Sequence, residues 1–223
     1  MRHQLWLFLG SGLFLLVLTA LLIGLRLDTS WTNGSGYAPQ TSAQIVAVEG
    51  EVRVEGPQGS RALLAGDLIK RGEWVLTGTT SRAHLTTAGS GFALDENTDW
   101  QFQNLAGTRY RGQLRRGRML IDWQAPEKTL VVKTAVAEAT VAAGRLSVIN
   151  YNFKNQASFI PLANWLVINI PGQSWLTDRP TNIEEVPPFS SQEFIFDPTQ
   201  SAAAEFYRLA ETWLNPIDTE NDE

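Results

Sequence analysis

The sequence holds no cysteine in its 223 residues. That excludes disulfides, a lipid-modified N-terminal cysteine, thiolate metal sites and cysteine nucleophiles. Histidine occurs twice, as His3 and His84, too few for a multi-histidine metal centre. The body of the chain has no P-loop, no GxSxG elbow and no GxGxxG fingerprint. A concentrated basic face is also missing. Gln44–Pro180 carries 15 Lys/Arg against 12 Asp/Glu, and the stretch from Thr181 onward carries ten acids against Arg208 alone. Nucleic-acid binding needs a denser positive field than this. The expectation from these absences is a protein that is not an enzyme, with no cofactor, no metal and no nucleic-acid partner.

One long run free of charge is present, Leu5–Leu25 (LWLFLGSGLFLLVLTALLIGL), 21 residues in all. As a helix it would span about 31 Å, matching a hydrocarbon core of roughly 30 Å. Arg2 and His3 precede it, and Arg26 is followed closely by Asp28. The slight cationic excess on the leading side places the N-terminus inside and the bulk of the chain outside. A cleavable signal peptide would have a shorter apolar stretch and a small-x-small site, which Leu22–Leu27 lacks. Residues 1–28 therefore read as an uncleaved single-pass membrane anchor. Residues 29–43, rich in Ser, Thr, Gly and Pro, read as a flexible tether.

From Gln44 the pattern is that of short strands. Val52 and Val54 alternate with Glu51, Arg53 and Glu55, the period of two expected of a half-buried strand. In Leu63–Thr87 the apolar runs Leu63-Leu64, Leu68-Ile69 and Trp74-Val75-Leu76 are cut by Gly66-Asp67, Arg71-Gly72 and Gly78-Thr79. Glycine accepts positive φ, and Asp and Thr bond their own backbone, so each cut is a turn. Turns every six to eleven residues predict a mainly β domain over 44–173: a sandwich, a barrel or a β-solenoid.

Leu63, Gly66, Asp67, Ile69, Gly72, Val75, Thr77, Ser81, Ala83 and Leu85 stand at the positions of the signature "L..GD.I..G..V.T...S.A.L". This resembles the periplasmic domain of the FecR (ferric-citrate regulator) family. The resemblance extends upstream through Val48, Gly50, Val52 and Val54, and downstream through Leu94, Asn97-Thr98, Leu114, Gly117 and Pro171-Gly172-Gln173. Thr134-Ala135 stands where the family usually has Thr-Pro, and Ala142-Ala143-Gly144 where it has an Arg-Gly-Thr turn. The resemblance implies a compact antiparallel, partly solenoid-like β-domain in the periplasm, tethered to the bacterial inner membrane. It also implies a role in relaying a receptor's state to a cytoplasmic sigma factor. Family members doing so carry a cytoplasmic segment before the membrane helix, whereas Met1–Gln4 alone precede it here.

Beyond the β region, 174–196 contains Pro187-Pro188, lacks a sustained period and reads as an arm. Asp197-Pro198-Thr199-Gln200 has the grammar of a helix start, and Ala202, Phe206, Leu209 and Trp213 then fall on one face. The spacing predicts an amphipathic helix over 197–215, stopped by Pro216, and an acidic tail over 216–223. The Phe206, Leu209 and Trp213 face either packs on the β-domain or docks a partner.

Two clusters could carry chemistry. Arg109, Arg111, Arg115, Arg116 and Arg118 put five guanidiniums in ten residues, either an anion- or partner-binding site or a charged strand edge. Strand alternation would send Arg116 and Arg118 to one face and Arg115 to the other. Asp95, Glu96 and Asp99 lie around Asn97-Thr98 without the internal Gly of a calcium loop, and read as a capped turn. Envelope-polymer hydrolysis would need two carboxylates paired in a cleft, with Asp122 as the partner for Asp95 or Asp99. The reading favoured is a membrane-anchored extracytoplasmic binding or scaffolding module with an envelope protein or glycan as partner. The alternative is a transmembrane regulator of a sigma-factor pathway.

Overall fold

The computed structural model describes residues 42–125, 127–185 and 189–215. The expected anchor, most of the tether, Pro187-Pro188 and the acidic tail lie outside the described residues. Among the described residues no helix is long and apolar enough to cross a membrane.

The described chain is mainly β, with seventeen strands and one α-helix. They form two sheets that share a strand. Sheet I runs, edge to edge, β4 (Leu68–Lys70), β1 (Ser42–Glu49), β6 (Arg82–Thr87), β7 (Ser90–Leu94), β9 (Arg109–Trp123), β12 (Gly144–Tyr151), β13 (Gln156–Ala163), β16 (Thr181–Glu184) and β17 (Ser190–Glu193). Sheet II runs β3 (Gly59–Ala62), β2 (Val52–Gly56), β5 (Trp74–Thr77), β8 (Asp99–Asn104), β9 again, β10 (Thr129–Lys133), β11 (Glu138–Val141), β14 (Leu166–Ile170) and β15 (Gln173–Thr177). All pairings are antiparallel except β9–β10. Neither sheet closes, so of the three architectures open to the sequence the barrel is ruled out. The chain instead passes back and forth between two facing sheets.

The 15-residue strand β9 belongs to both sheets. Arg109–Arg116 pairs in sheet II and Gly117–Trp123 in sheet I. One core fills the space between the sheets. Val54, Val75, Trp100, Phe102 and Leu114 come from one side, and Ile45, Leu85, Phe92, Met119, Ile121, Val148 and Phe159 from the other. Phe92 sits at its centre, edge-on to Phe102 at 5.2 Å and to Trp123 at 6.3 Å. Burying side chains of this size is the dominant favourable term for the fold.

The motif residues of Leu63–Leu85 have structural tasks. Leu63, Ile69, Val75, Ala83 and Leu85 are core residues. Gly66 (φ 94°) and Gly72 (φ 86°) hold left-handed turns. Asp67 closes its turn by accepting the Leu64 amide at 3.0 Å, and this bond, with Arg61 behind it, holds the carboxyl below the usual range. Thr77 Oγ1 donates to the Asp95 carbonyl at 2.6 Å, and Ser81 Oγ accepts the Glu51 amide at 2.9 Å. The pattern therefore encodes turns and core positions, which is why it reads fold and not activity.

Two expectations change. The stretch 174–196 supplies β15, β16 and β17 instead of an unpaired arm. β17 (SSQE) is exposed throughout, so it shows no alternation for a reader of the sequence to detect. The helix, α1, covers Ala204–Leu214 and starts later than expected. Asp197 does accept the Thr199 amide and hydroxyl, at 2.9 and 2.7 Å, but this caps a turn that precedes the helix.

Candidate functional site

The crossover of β9 brings the arginine and acidic clusters of the sequence together. Its cause is local. Opposite Asp99 and Trp100 the register slips, so that Asp99 faces Arg116 while Trp100 faces Leu114. Arg115 is the extra residue of a bulge, and Gly117 follows at φ 95°. The bulge cancels the expected alternation. Arg115 donates to Asp99 Oδ2 through Nε at 2.9 Å and Nη2 at 2.7 Å, and Arg116 Nε lies 3.0 Å from the same oxygen. Arg115 also stacks over Trp74, 4.6 Å from the ring centroid. Beyond Gly117 the strand is in sheet I, and Arg118 donates to Asp95 Oδ2 at 2.9 Å. Arg82 reaches the other oxygen of Asp95 at 3.4 Å.

The arginine and acidic clusters are thus one set of ion pairs. Asp95 is buried and held by guanidiniums through both oxygens, and Asp99 is buried and held through Oδ2 alone, while Glu96 accepts the Thr80 amide at 2.8 Å. Asp122 is held by Arg145 at 3.4 Å. Arg109 and Arg111 do not join the crossover. They sit at the far end of β9, beside Thr129 and Val131 of β10, and form no ion pair among the described residues. The five guanidiniums do not converge on one anion.

Next to the crossover a groove of about 390 Å³ opens on the end of sheet I, within the roughly 300–1,000 Å³ typical of small-ligand sites. Glu96, Asn97, Arg116 and Arg118 line it together with Ile149, Asn150, Tyr151 and Phe153 from the adjacent strand β12 and the turn after it. Phe153 is 78% exposed and meets Tyr151 edge-on, with ring centroids 6.2 Å apart. Asn150 is only 2% exposed, and its Nδ2 donates to the Leu114 and Arg115 carbonyls, both at 2.8 Å, which ties β12 to the bulge. Asn150 Oδ1, Arg118 Nε and Asp99 Oδ1 are buried without a hydrogen-bond partner among the described residues. Sequence reading missed Asn150, Tyr151 and Phe153. Their signal was a run of aromatic and amide residues at the end of an apolar strand, which gains meaning only once the Arg116–Arg118 turn is set beside it.

The helix α1 lies on the outer face of sheet I. Ala203, Phe206, Tyr207 and Ala210 pack on Ala93 and Leu120, with Leu162, Phe196, Trp213 and Leu214 around them. The buried stripe is rotated from the expected one. Ala202 is exposed and Leu209 half-exposed, while Tyr207 is buried because its hydroxyl meets Ser147 Oγ at 2.8 Å. Burial pushes the Tyr207 phenol above its usual pKa. Trp213 stacks on His84, rings 5.8 Å apart and 7° from parallel. Burial pushes His84 below its usual pKa. Arg82–Glu205 at 3.3 Å and Arg145–Glu211 at 2.6 Å fasten the two ends of the helix. Gly91 leaves the space that Leu214 fills. Of the two uses open to the Phe206 face, packing on the chain's own sheet is the one adopted.

No protein-family model matches the chain, and no curated protein does. Among solved structures, two crystal structures of a putative anti-sigma factor from Parabacteroides distasonis ATCC 8503 align with TM-scores of 0.48 and 0.49, each at 10% identity. Each alignment covers 54% of this chain and 59% of the other, so the chain spans about three-fifths of that protein's length. A likeness of this extent decides neither fold nor function.

Proposed function

We propose that this chain is a membrane-anchored, extracytoplasmic binding module of the FecR-like kind, and that the crossover groove takes a glycan of the cell envelope. The observation that carries the reading is Phe153, 78% exposed at the rim of a groove whose polar side chains are held in place by ion pairs and turn bonds. A sugar ring presents one apolar C–H face and a rim of hydroxyls. An open aromatic ring suits the first, and Glu96, Asn97 and Arg116 in the same groove suit the second. The ion pairs at Asp95 and Asp99 fix the lining before a ligand arrives, which reduces the ordering cost of binding. The apolar run Leu5–Leu25 and the FecR-like residues of Leu63–Leu85 support the rest of the reading.

The test is titration of the full chain in detergent micelles with N-acetylglucosamine oligomers, followed by calorimetry. The expected result is weak saturable binding, Kd on the order of 0.1–1 mM, that Phe153→Ala weakens at least tenfold without lowering the melting temperature. Absence of binding at millimolar sugar overturns the glycan reading. A photocrosslinker at Phe153 that traps an outer-membrane receptor in cells transfers the groove to the alternative, a sigma-factor regulator. Protease digestion of intact and permeabilised cells tests the topology, with the body expected to be cut only where the periplasm is open.

A further inference from the structure

We propose that two copies of this chain join edge to edge through β15, making one continuous sheet from two copies of sheet II. The proposal is independent of the groove. Among the described residues the two sheets have four edge strands, β3 and β15 in sheet II and β4 and β17 in sheet I. Three of them carry the charges that keep exposed edges from pairing: Arg61 in β3, Lys70 in β4 and Glu193 in β17. They are also short, at three or four residues. β15 has five residues, Gln173-Ser174-Trp175-Leu176-Thr177, with no charge and no proline. It runs against β14 without a register slip, so no bulge turns its free side away.

The surface beside this edge carries two exposed apolar side chains next to the Ser174–Asn169 hydrogen bond. Leu176 is 59% exposed and pairs with Val167 on β14, and Trp165, two residues before Val167, is 54% exposed. A two-fold register centred on Trp175 overlaps all five residues. It sets Gln173 opposite the partner's Thr177 and Ser174 opposite the partner's Leu176. The two Leu176 side chains then stand on one diagonal, within reach of each other. Asp178 falls opposite Gly172, so no like charges meet. Self-complementarity of this kind is what an isologous contact requires. A second copy fits better than a foreign strand, because an edge without charge has nothing to steer or select a charged partner. Five residues of overlap make a small contact, so the dimer is weak, with Kd on the order of 10 µM.

The absence of cysteine supplies a clean test. Full chain carrying Ser174→Cys is mixed with full chain carrying Leu176→Cys and oxidised in detergent. The expected result is a disulfide-linked dimer formed several-fold faster in the mixture than from Ser174→Cys alone or from a Leu64→Cys control. Sedimentation of the unmodified chain between about 1 and 200 µM is expected to show reversible dimerisation. Leu176→Lys is expected to weaken it at least tenfold while leaving the melting temperature unchanged. A chain that stays monomeric at 200 µM, a dimer indifferent to Leu176→Lys, or mixed crosslinking no faster than the control overturns the proposal.

Discussion

Replacing Gly117 by alanine probes the crossover directly. At φ 95° an L side chain is strained, at a cost of about 1–3 kcal/mol. The added methyl would also fall on Thr98, touching its Oγ1 and lying 2.5 Å from its Cα. Thr98 has little room to yield. Its amide donates to Thr77 Oγ1 at 2.8 Å, its hydroxyl donates to the Arg118 carbonyl at 3.0 Å, and the Arg118 amide donates to Thr98 Oγ1 at 3.1 Å. Overpacking against a pinned backbone adds about 1–3 kcal/mol. The expected loss is therefore about 2–6 kcal/mol, a large share of a total stability of roughly 5–15 kcal/mol. Gly107 is the control. It too has positive φ (73°), but an added methyl meets nothing within 4 Å, so Gly107→Ala should cost only about 1 kcal/mol. Urea unfolding of both variants followed by circular dichroism separates the strain from the clash. If Gly117→Ala falls within about 0.5 kcal/mol of Gly107→Ala, the crossover is not a constrained joint.

Three further outcomes follow from the same geometry. Asp99→Ala removes a carboxylate with 2% side-chain exposure from two half-exposed arginines that water can partly solvate, so the loss should be about 1–3 kcal/mol. A double-mutant cycle with Arg115→Ala should show coupling, and independence of the two would reduce the pair to a surface contact. Phe206→Ala should cost about 3–5 kcal/mol and speed amide exchange across Ala204–Leu214; unchanged exchange would mean that the helix is held by its end ion pairs alone. His84 has a folded-state pKa below its ordinary 6.5, so the unfolded chain binds its proton first. Its contribution is fully present above about pH 6.5 and declines as pH falls toward the folded value, by up to about 1.4 kcal/mol per pH unit. Melting temperatures from pH 8 to 5 should fall less steeply in His84→Gln, and parallel curves would remove His84 as the cause.

Several features of the fold are legible in the sequence. The alternation of Val52 and Val54 with charged neighbours marks a strand, because a half-buried pleat needs that period. Gly66-Asp67 and Arg71-Gly72 mark turns, because positive φ and side-chain-to-backbone bonds are properties of single residues. The Phe206 helix was legible as a helix but not in its bounds or buried stripe. Tyr207 counts as half-polar until Ser147 is seen to satisfy its hydroxyl. The groove was not legible, since Arg116 and Phe153 are 37 positions apart in the chain and meet through the pairing of β9 with β12.

The sequence by itself determined the class of the fold and many of its turns, because backbone preference and local hydrophobic period act within a few residues. Tertiary structure alone decided which strands are neighbours, where β9 changes sheets, and which charges pair. One extra residue at the bulge redirects Arg115 to Asp99, against the alternation that local reading requires. Such decisions depend on contacts between distant segments, whose free energy exists only after the chain has closed the loops between them.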